Sequence, residues 1–392
     1  MIAAPHMRGG PLAHATTART TVCHVTTVHD PSDARIFHRE CAALADAGYD
    51  VHLVACGAGE GTVAGVHRHA LPMPPNRPAR LLFWPMRAYR AALALRPAVI
   101  HVHDPELLPG AWLLRLAGRC VVYDVHENVA ADIATKPYLP RWLRPLAAGA
   151  YRLVEAALAA GMPTVHVLDR VARRYRPPKV VVRNLPPAGP RPPLPRPPPR
   201  RPARLVYVGT VSTDRGALAM VDLAAELRRR GAQAVVRLVG PVHERGLAYA
   251  LRQRIAENDL GRYVTLDGPV PYDRIRTVLD EADLGLCLLE PTPNYANSLP
   301  AKVLDYMAAG LPVLASAFPA WREYVADTGA GILVDPRNVP AVADAVQRLL
   351  ADTDRLRAMG RRGREAVETT YCWEQERGRL LDFYRRVLGV RP

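Results

Sequence analysis

The chain has 392 residues, of which 49% are hydrophobic and 23% are charged, and its formal net charge is +15. This length is too great for one ordinary hydrophobic core and predicts two domains of similar size, and the composition is that of a globular protein. The arginines are spread along the chain without the basic blocks and interleaved aromatic residues of nucleic-acid binders, which argues against nucleic acid and favours anionic lipids or anionic substrates as partners.

The start of the chain and its cysteines bear on cellular location. Residues 1–20 lack the apolar core of a signal peptide, and we expect a disordered extension there. The six cysteines form no Cys-x-x-Cys pair, which is typical of small core residues in a reducing cytosol. Since no apolar run reaches the roughly 18 residues of a membrane span, the sequence predicts a cytoplasmic protein.

Strands alternate with helices throughout residues 21–185, which predicts a first domain with a parallel sheet and right-handed crossovers. The predicted helices cover residues 36–47, 79–95 and 140–160, with one more between residues 105 and 119. The predicted strands are Thr21–Val28, Tyr49–Cys56, Thr62–Leu71, Ala98–His103, Arg119–Val125, Thr164–Leu168 and Val180–Arg183.

A proline-rich stretch, residues 186–202, interrupts this alternation. Proline excludes helix interiors and central strands, so the stretch predicts a stiff polyproline II linker, with a ligand for a proline-recognising domain as the alternative. Alternation resumes in residues 203–392, a second domain whose last helix we expect to pack back on the first. The predicted strands are Arg204–Gly209, Ala234–Gly240, Tyr263–Leu266, Leu284–Leu289, Val313–Ala315 and Gly331–Val334.

This layout predicts an α/β fold with two Rossmann-like parallel-sheet domains that face an interdomain cleft. Ligands of such sheets bind at the carboxyl ends of the strands. A polar loop and a helix over Pro300–Ala309 follow one predicted strand, and Gly310 ends the helix. Lys302 and Asp305 lie three residues apart on one helix face, where a phosphate could bind the helix N-terminus and the lysine. The alternative is an ordinary surface ion pair.

The stretch Ser298-Leu-Pro-Ala-Lys-Val-Leu-Asp-Tyr-Met307, with the turn Gly310-Leu-Pro-Val313, resembles the signature of glycosyltransferase family 4. These are retaining nucleotide-sugar transferases of the GT-B fold, whose motif has two glutamates separated by seven residues. Asn297 and Asp305 occupy those two positions here. The resemblance implies that Asp305 holds the ribose of the donor, that Asn297 faces the transferred sugar, and that Ser298 and Leu299 belong to the donor site.

A second stretch, Val208-Gly-Thr-Val-Ser-Thr-Asp-Arg-Gly216, resembles the diphosphate-binding turn of the same family. Gly209 allows a close backbone approach at the end of a strand. Arg215 takes the place of the second basic residue of that turn, whereas Thr210 stands where the first arginine is usual. We therefore hypothesise that Lys302 supplies the missing charge, since a departing diphosphate gains negative charge that two fixed cations would stabilise.

In the first domain, the loop after the first strand holds Asp33 and Arg35. The resemblance implies that this loop closes over the donor diphosphate and meets the acceptor. It lacks the usual glycines, so Arg35 would contact the phosphate instead; the alternative is a solvated loop in which Asp33 caps a helix. At a later strand end, His126 matches the family histidine that faces the donor sugar. We name His126, Arg215 and Lys302 as the catalytic set.

Two strand ends carry histidine beside a carboxylate, His101-Val-His103-Asp104 and His126-Glu127. A metal is one reading, but no third and fourth ligands converge by spacing, and the resemblance implies catalysis without metal or cofactor. For His101 and His103 a core or surface position is favoured. His103 and Asp104 are nevertheless assigned, with Asp33 and Arg35, to the acceptor side.

Helices near residues 80–96 and 139–155 combine arginines with aromatic residues, which suits an anionic membrane surface or an ordinary packed helix with solvated arginines. The sequence thus predicts transfer of a sugar from a nucleotide donor to a sugar, lipid-linked or small-molecule acceptor. Another GT-B enzyme, such as a nucleotide-sugar 2-epimerase, and a non-catalytic scaffold are the alternatives.

Overall fold

The computed structural model describes residues 19–57, 59–126, 129–135, 139–189, 199–292 and 295–389. Three sequence-based expectations concern residues outside these ranges. They are the disordered extension over residues 1–18, a role for Glu127, and the centre of the proline-rich linker, residues 190–198.

The first domain contains one sheet of eight strands in the order β3-β4-β2-β1-β5-β6-β7-β8. All neighbouring strands are parallel except β3 and β4, which pair antiparallel. The strands are β1 (Thr21–Val25), β2 (Asp50–Cys56), β3 (Gly61–Val63), β4 (Val66–Leu71), β5 (Val99–Val102), β6 (Val121–Val125), β7 (Thr164–His166) and β8 (Lys179–Val181). The strand predicted over Thr62–Leu71 is thus wrong: Ala64 and Gly65, with φ of 50° and 75°, form a hairpin turn inside it.

Helices cover both faces of this sheet. The helix predicted over residues 79–95 is two helices, because Pro85 has no N–H to donate to the preceding turn. The helix predicted from residue 36 begins with a wide turn, Ile36–Cys41, that continues into α1. The helices are α1 (Ala42–Asp46), α2 (Arg77–Leu82), α3 (Trp84–Ala94), α4 (Leu108–Leu116), α5 (Val129–Thr135), α6 (Leu143–Leu158) and α7 (Asp169–Ala172).

The second domain contains a parallel sheet of six strands in the order β11-β10-β9-β12-β13-β14. Its strands are β9 (Ala203–Val208), β10 (Ala234–Val239), β11 (Val264–Gly268), β12 (Leu284–Cys287), β13 (Val313–Ser316) and β14 (Gly331–Val334). The strand order reverses between β9 and β12, and ligands of open α/β sheets bind where this happens. The predicted α/β class with two parallel-sheet domains is confirmed.

The remaining helices surround the second sheet, except the last. They are α8 (Ala217–Arg229), α9 (Leu247–Glu257), α10 (Tyr272–Asp280), α11 (Ala301–Ala308), α12 (Arg322–Val325), α13 (Val339–Ala351), α14 (Thr353–Thr369) and α15 (Trp373–Val387). In α15, Leu380, Phe383 and Tyr384 are buried in the same core as Val22 and Val51 of the first sheet. The last helix therefore packs on the first domain.

The two domains meet across a cleft. His38 stacks on Tyr272 of α10 with ring centroids 4.4 Å apart, and Arg39 Nη2 lies 3.9 Å from Asp305 Oδ1. In the part of the chain that the structure describes, no helix combines the length and apolarity needed to cross a bilayer.

Candidate functional site

The wall of the cleft in the second domain is built around Gly209 and Lys302. Gly209 follows β9 with φ of 140°, and a Cβ there would lie 2.3 Å from Lys302 Cε and 2.5 Å from Nζ. The lysine side chain thus crosses the end of β9 at a position where only glycine leaves room for it. This contact joins two segments that lie almost one hundred residues apart in the sequence.

Arg215 reaches the same place from the turn that precedes α8. The following Gly216 has φ of 76°, and a Cβ on it would lie 1.9 Å from the carbonyl oxygen of Leu288. Arg215 Nε donates to Tyr295 Oη at 3.2 Å. A cavity of about 220 Å³ is lined by residues of both predicted stretches: Arg215, Cys287, Leu289, Tyr295, Ser298, Leu299, Pro300, Ala301, Lys302 and Trp321.

The electrostatics of this cavity suit an anion. Burial, together with the charge of Arg215, holds the pKa of Lys302 below its usual range. Burial raises the pKa of Asp305, although Arg39 and Lys302 oppose this. The Asp305 side chain is still 43% exposed, so a ligand in the cleft can reach its carboxylate. An anion between Arg215 and Lys302 would relieve the repulsion between these two cations.

Asn297 and Thr210, which occupy two family positions with a different residue type, lie at the margin of this site. Asn297 is exposed in a short turn, and it is not among the described residues that line this cavity or the cleft cavity of the first domain. Thr210 is half-buried, and its carbonyl oxygen accepts a hydrogen bond from Tyr207 Oη at 2.9 Å.

Two aromatic residues of this wall were not singled out from the sequence. Tyr295 contacts Arg215, and Trp321 Nε1 donates to the carbonyl oxygen of Ser298 at 3.0 Å. Tyr295 lies in the polar loop that precedes α11 and could have been found there. Trp321 follows β13, and nothing in its local sequence indicates that it returns to the loop.

The wall in the first domain is rich in histidine. A cavity of about 270 Å³ is lined from both domains by His29, Asp33, Ala34, Arg35, His126, Val167, Leu168, Arg170, Asn184, Ser298, Leu299 and Ala301. The predicted residues Asp33 and His126 thus share a cavity with Ser298 and Leu299. The carboxylate Oδ1 of Asp33 accepts from the backbone N–H groups of Arg35 and Ile36 at 2.8 and 2.9 Å, which is the capping role of the alternative reading.

His29 is a cleft residue that the sequence reasoning missed. Its Nε2 lies 3.1 Å from Nε2 of His126, and its Nδ1 lies 2.8 Å from Asp104 Oδ1. Burial alone would raise the pKa of Asp104, but the hydrogen bond and charge of His29 lower it to about 2. His126 Nδ1 lies 3.1 Å from Oδ2 of the buried Asp124. A carboxylate therefore stands behind each of the two histidines.

Arg35 does not have the expected role. Its Nε and Nη2 donate to the carboxylate of Asp124 at 2.9 and 2.8 Å, and Nη1 donates to the carbonyl oxygen of Val182 at 2.9 Å. Nη2 also lies 2.9 Å from Oε1 of Glu40. The residue is 3% exposed, so its guanidinium is directed into the domain and is not placed to contact a diphosphate.

His103 and Asp104 also point inward rather than toward an acceptor. His103 is 2% exposed and lies 2.9 Å from His24 and 3.2 Å from Asp124. Asp104 is fully buried and accepts a hydrogen bond from Thr26 Oγ1 at 2.8 Å. These residues hold the ends of β1, β5 and β6 together, so their assignment to the acceptor side is corrected to a supporting position behind the cleft.

Comparison with known proteins is consistent with this geometry. The family model described as "Glycosyl transferases group 1" matches residues 202–352, and that described as "Glycosyl transferase 4-like domain" matches residues 34–184.

Among curated proteins, a GDP-mannose-dependent alpha-(1-6)-phosphatidylinositol monomannoside mannosyltransferase of Mycobacterium tuberculosis is 34% identical over 170 residues, which cover 42% of this chain and 43% of that protein. D-inositol 3-phosphate glycosyltransferase of Nocardia farcinica is 32% identical over 188 residues, 47% of this chain and 40% of that protein. The matched region therefore spans less than half the length of each of these relatives.

Among solved structures, sucrose-phosphate synthase from Thermosynechococcus elongatus has a TM-score of 0.77 at 20% identity, over 95% of this chain and 100% of that one. A crystal structure of HepE from Anabaena in complex with UDP and glucose has a TM-score of 0.69 at 15% identity, over 93% and 99% of the two chains. At these identities the likeness shows a shared fold, which is that of GT-B glycosyltransferases.

Proposed function

The chain belongs to the group 1 glycosyltransferases, and from this premise we propose that it transfers a hexose, with retention, from a nucleoside-diphosphate sugar to an acceptor hydroxyl in the cleft. One observation carries the proposal. Lys302 crosses the carboxyl end of β9 at Gly209 and lines one cavity together with Arg215, next to the start of α11. Two cations and a helix N-terminus around one cavity are the electrostatics that a diphosphate leaving group requires.

In this reaction the acceptor oxygen forms a bond to the anomeric carbon while the bond from that carbon to the diphosphate breaks. The proton of the acceptor passes to an oxygen of the leaving phosphate, so no protein nucleophile is needed. Arg215 and Lys302 stabilise the charge that develops on the diphosphate, and for this reason we propose a reaction without a catalytic metal or other cofactor. Asp305 accepts hydrogen bonds from the ribose hydroxyls, His126 faces the sugar, and Asn297 would approach the sugar from the margin of the cavity.

Two observations support a proposal for the acceptor. The names of the two relatives describe acceptors that carry phosphate: a phosphatidylinositol monomannoside and an inositol 3-phosphate. In this chain, the cleft cavity of the first domain offers Arg170 and Asn184 near the histidine pair. We propose an acceptor that carries a phosphate and is linked to a lipid.

The surface of the first domain supports a lipid-linked acceptor. Of the sixteen exposed large hydrophobic residues in the described ranges, eleven lie on or beside α2, α3, α4 and α6. We call this set the apolar helix face: Leu81, Leu82, Phe83, Met86, Trp112, Leu113, Leu116, Trp142, Leu146, Leu153 and Val154. Arginines on the same helices, including Arg87, Arg90 and Arg152, give the face a positive charge. Apolar and cationic side chains together suit an anionic bilayer, on which the protein would sit peripherally.

The decisive experiment measures the binding of UDP, GDP, dTDP and ADP by calorimetry to the wild type, to Lys302→Ala and to Asp305→Ala. We expect one nucleotide to bind and both substitutions to weaken it by about 1–3 kcal/mol. Arg228→Ala, which removes an exposed ion pair with Asp259 at the C-terminal end of α8, is the matched control and should bind like the wild type.

Turnover then separates the remaining functions. With the sugar donor of the nucleotide that binds, a transferase consumes donor in proportion to added acceptor. A 2-epimerase would isomerise the donor without an acceptor, and a scaffold would bind nucleotide without turnover. Failure of all four nucleotides to bind would remove the assignment of the donor site.

A further inference from the structure

A second cluster of polar side chains lies inside the first domain, behind the wall of the cleft. It consists of His24, Glu40, His101 and His103, which are at most 2% exposed. His24 and His101 are direct neighbours in the parallel pairing of β1 with β5, so their side chains share one face of the sheet. His103 lies two residues further on the same face, and Glu40 comes from the wide turn that covers it.

The spacing of these four residues fits a metal ion. One ligand atom of each residue lies within 4.8 Å of the ligand atoms of the others. His24 Nδ1 is 2.9 Å from His103 Nε2. The ring of His101 lies beside Glu40, with its Nδ1 3.9 Å from Oε2. The ligands of a tetrahedral zinc ion, with bonds of about 2.0–2.1 Å, are separated by about 3.3 Å. The 2.9 Å separation of the His24 and His103 nitrogens lies just below this value, and the 4.8 Å limit on the remaining separations lies above it, so shifts of the side chains would reach it.

Atoms without a hydrogen-bond partner indicate that something is to be bound here. Oε2 of Glu40 and Nε2 of His101 are buried and form no hydrogen bond. A buried carboxylate or imidazole nitrogen in this condition costs free energy unless a partner or an ion satisfies it. The contact of Glu40 Oε1 with Arg35 Nη2, at 2.9 Å, leaves Oε2 for a second cation.

In histidines that bind a metal, the ring nitrogen turned away from the ion usually has a hydrogen-bond partner of its own, and the histidines of this cluster have such partners. His103 Nδ1 lies 3.2 Å from Asp124 Oδ2, which leaves Nε2 of the ring for a metal. Tyr384 Oη of α15 lies 2.7 Å from His101 Nδ1 and 3.4 Å from His24 Nε2. His101 is thus oriented by a hydrogen bond on Nδ1, and its Nε2 remains available. Nδ1 of His24 and Nε2 of His103 bind each other at 2.9 Å and would exchange this hydrogen bond for the ion.

We propose that His24, His101, His103 and Glu40 bind one divalent transition-metal ion of the zinc class. Three imidazoles and a carboxylate are ligands that zinc accepts, and four protein ligands leave no open position, which marks a structural rather than a catalytic site. The ion would fasten β1, β5 and the turn over Ile36–Cys41 to one another, with α15 held through Tyr384. This inference is independent of the proposed transfer reaction, whose diphosphate chemistry lies in the other domain.

The test measures zinc in the full-length wild type by mass spectrometry after growth with zinc and dialysis against zinc-free buffer. We expect about one equivalent per chain, and near none in Glu40→Gln and in His101→Gln. Thermal unfolding of the wild type should shift to lower temperature when a strong chelator removes the ion. The matched control is the double variant His67→Gln/His69→Gln, since these histidines form a separate, more exposed group with His52 and Asp50. It should keep its zinc.

Two results would overturn the proposal. One is a wild type that contains no zinc and whose unfolding temperature responds neither to zinc nor to chelator. The other is zinc that disappears in the His67 and His69 variant and persists in Glu40→Gln, which would mean an adventitious ion only. If both core variants fail to fold, Co²⁺ bound to the wild type decides: the visible bands of a tetrahedral nitrogen and oxygen site support the proposal, and the spectrum of octahedral aqueous Co²⁺ refutes it.

Discussion

The two walls of the cleft use charge in opposite ways. In the first domain, the buried Arg35 is paired with Asp124 and Glu40. In the second domain, Arg215 and Lys302 both line a cavity, and no carboxylate of the described ranges lies within ion-pair distance of either. Charges that are paired inside a domain hold its structure together, whereas cations held without a counter-ion beside a cavity mark a place for an anionic ligand.

The largest expected effect is on stability, from Arg35→Met. Removing the guanidinium leaves Asp124 buried without its cation and takes one partner from Glu40, which is expected to lower the free energy of unfolding by about 3–5 kcal/mol. Urea denaturation of the purified chain measures this. Arg228→Met breaks an exposed ion pair of comparable length and should cost no more than about 1 kcal/mol. Equal losses of unfolding free energy in the two variants would mean that the buried ion pairs stabilise the fold no more than an exposed one.

The second effect is on binding, from Lys302→Met. We expect the affinity for the nucleotide to fall by about 1.5–3 kcal/mol, or about 10- to 150-fold, because a charge-assisted contact with the diphosphate is lost. Since the pKa of Lys302 is lowered in the folded state, its charged form opposes folding at neutral pH. The free energy of unfolding should therefore stay equal or rise. A loss of stability as large as that expected for Arg35→Met would show that Lys302, like Arg35, supports the fold rather than an anionic ligand.

The comparison also explains what the sequence can predict. The alternation of strands and helices is a local pattern, and it predicts both parallel sheets correctly. The errors lie where single residues redirect the chain, as Gly65 does between β3 and β4 and Pro85 does between α2 and α3. In the second domain, Lys302 and Asp305 are neighbours on one helix, so their common location follows from helical spacing.

The side-chain contacts of the first domain could not be predicted in the same way, because they depend on the register of the sheet. His24 and His101 become neighbours only through the pairing of β1 with β5, and Glu40 joins them from a helical turn. From spacing alone, no third and fourth ligands are expected to converge, whereas the fold brings four candidate side chains within 4.8 Å of one another. The same limit hid His29, whose partner Asp104 follows a different strand.

A smaller effect concerns Asp305 and the pH. Its pKa is raised in the folded state by burial, so its carboxylate becomes protonated at a less acidic pH than an ordinary aspartate. Nucleotide affinity of the wild type should therefore weaken as the pH falls through this raised pKa. Asp305→Asn should bind about 1 kcal/mol more weakly at neutral pH, because a neutral hydrogen bond replaces a charged one, and should lack this part of the pH dependence.

Asp305→Asn should weaken nucleotide binding but increase the stability of the fold at neutral pH. A carboxyl whose folded-state pKa is raised stabilises the fold below its unfolded pKa, and this contribution is lost as the pH rises through the folded value. Asp305→Asn should thus be more stable than the wild type at neutral pH and no more stable in acid. Chemical denaturation at both pH values checks this, and a less stable variant at neutral pH would show that Asp305 supports the fold rather than a ligand.

The smallest effect distinguishes the outer surfaces of the two domains. Trp142 belongs to the apolar helix face and is 70% exposed, and Tyr249 on α9 of the second domain is 72% exposed. If the apolar helix face enters a bilayer, Trp142→Ser should weaken binding to phosphatidylglycerol vesicles by about 0.5–1 kcal/mol, part of the value of a fully buried side chain. Tyr249→Ser should have no effect in the same sedimentation assay. Equal effects of the two substitutions, or binding that does not depend on the anionic lipid, would contradict a membrane role of the apolar helix face. They would also remove its support for a lipid-linked acceptor.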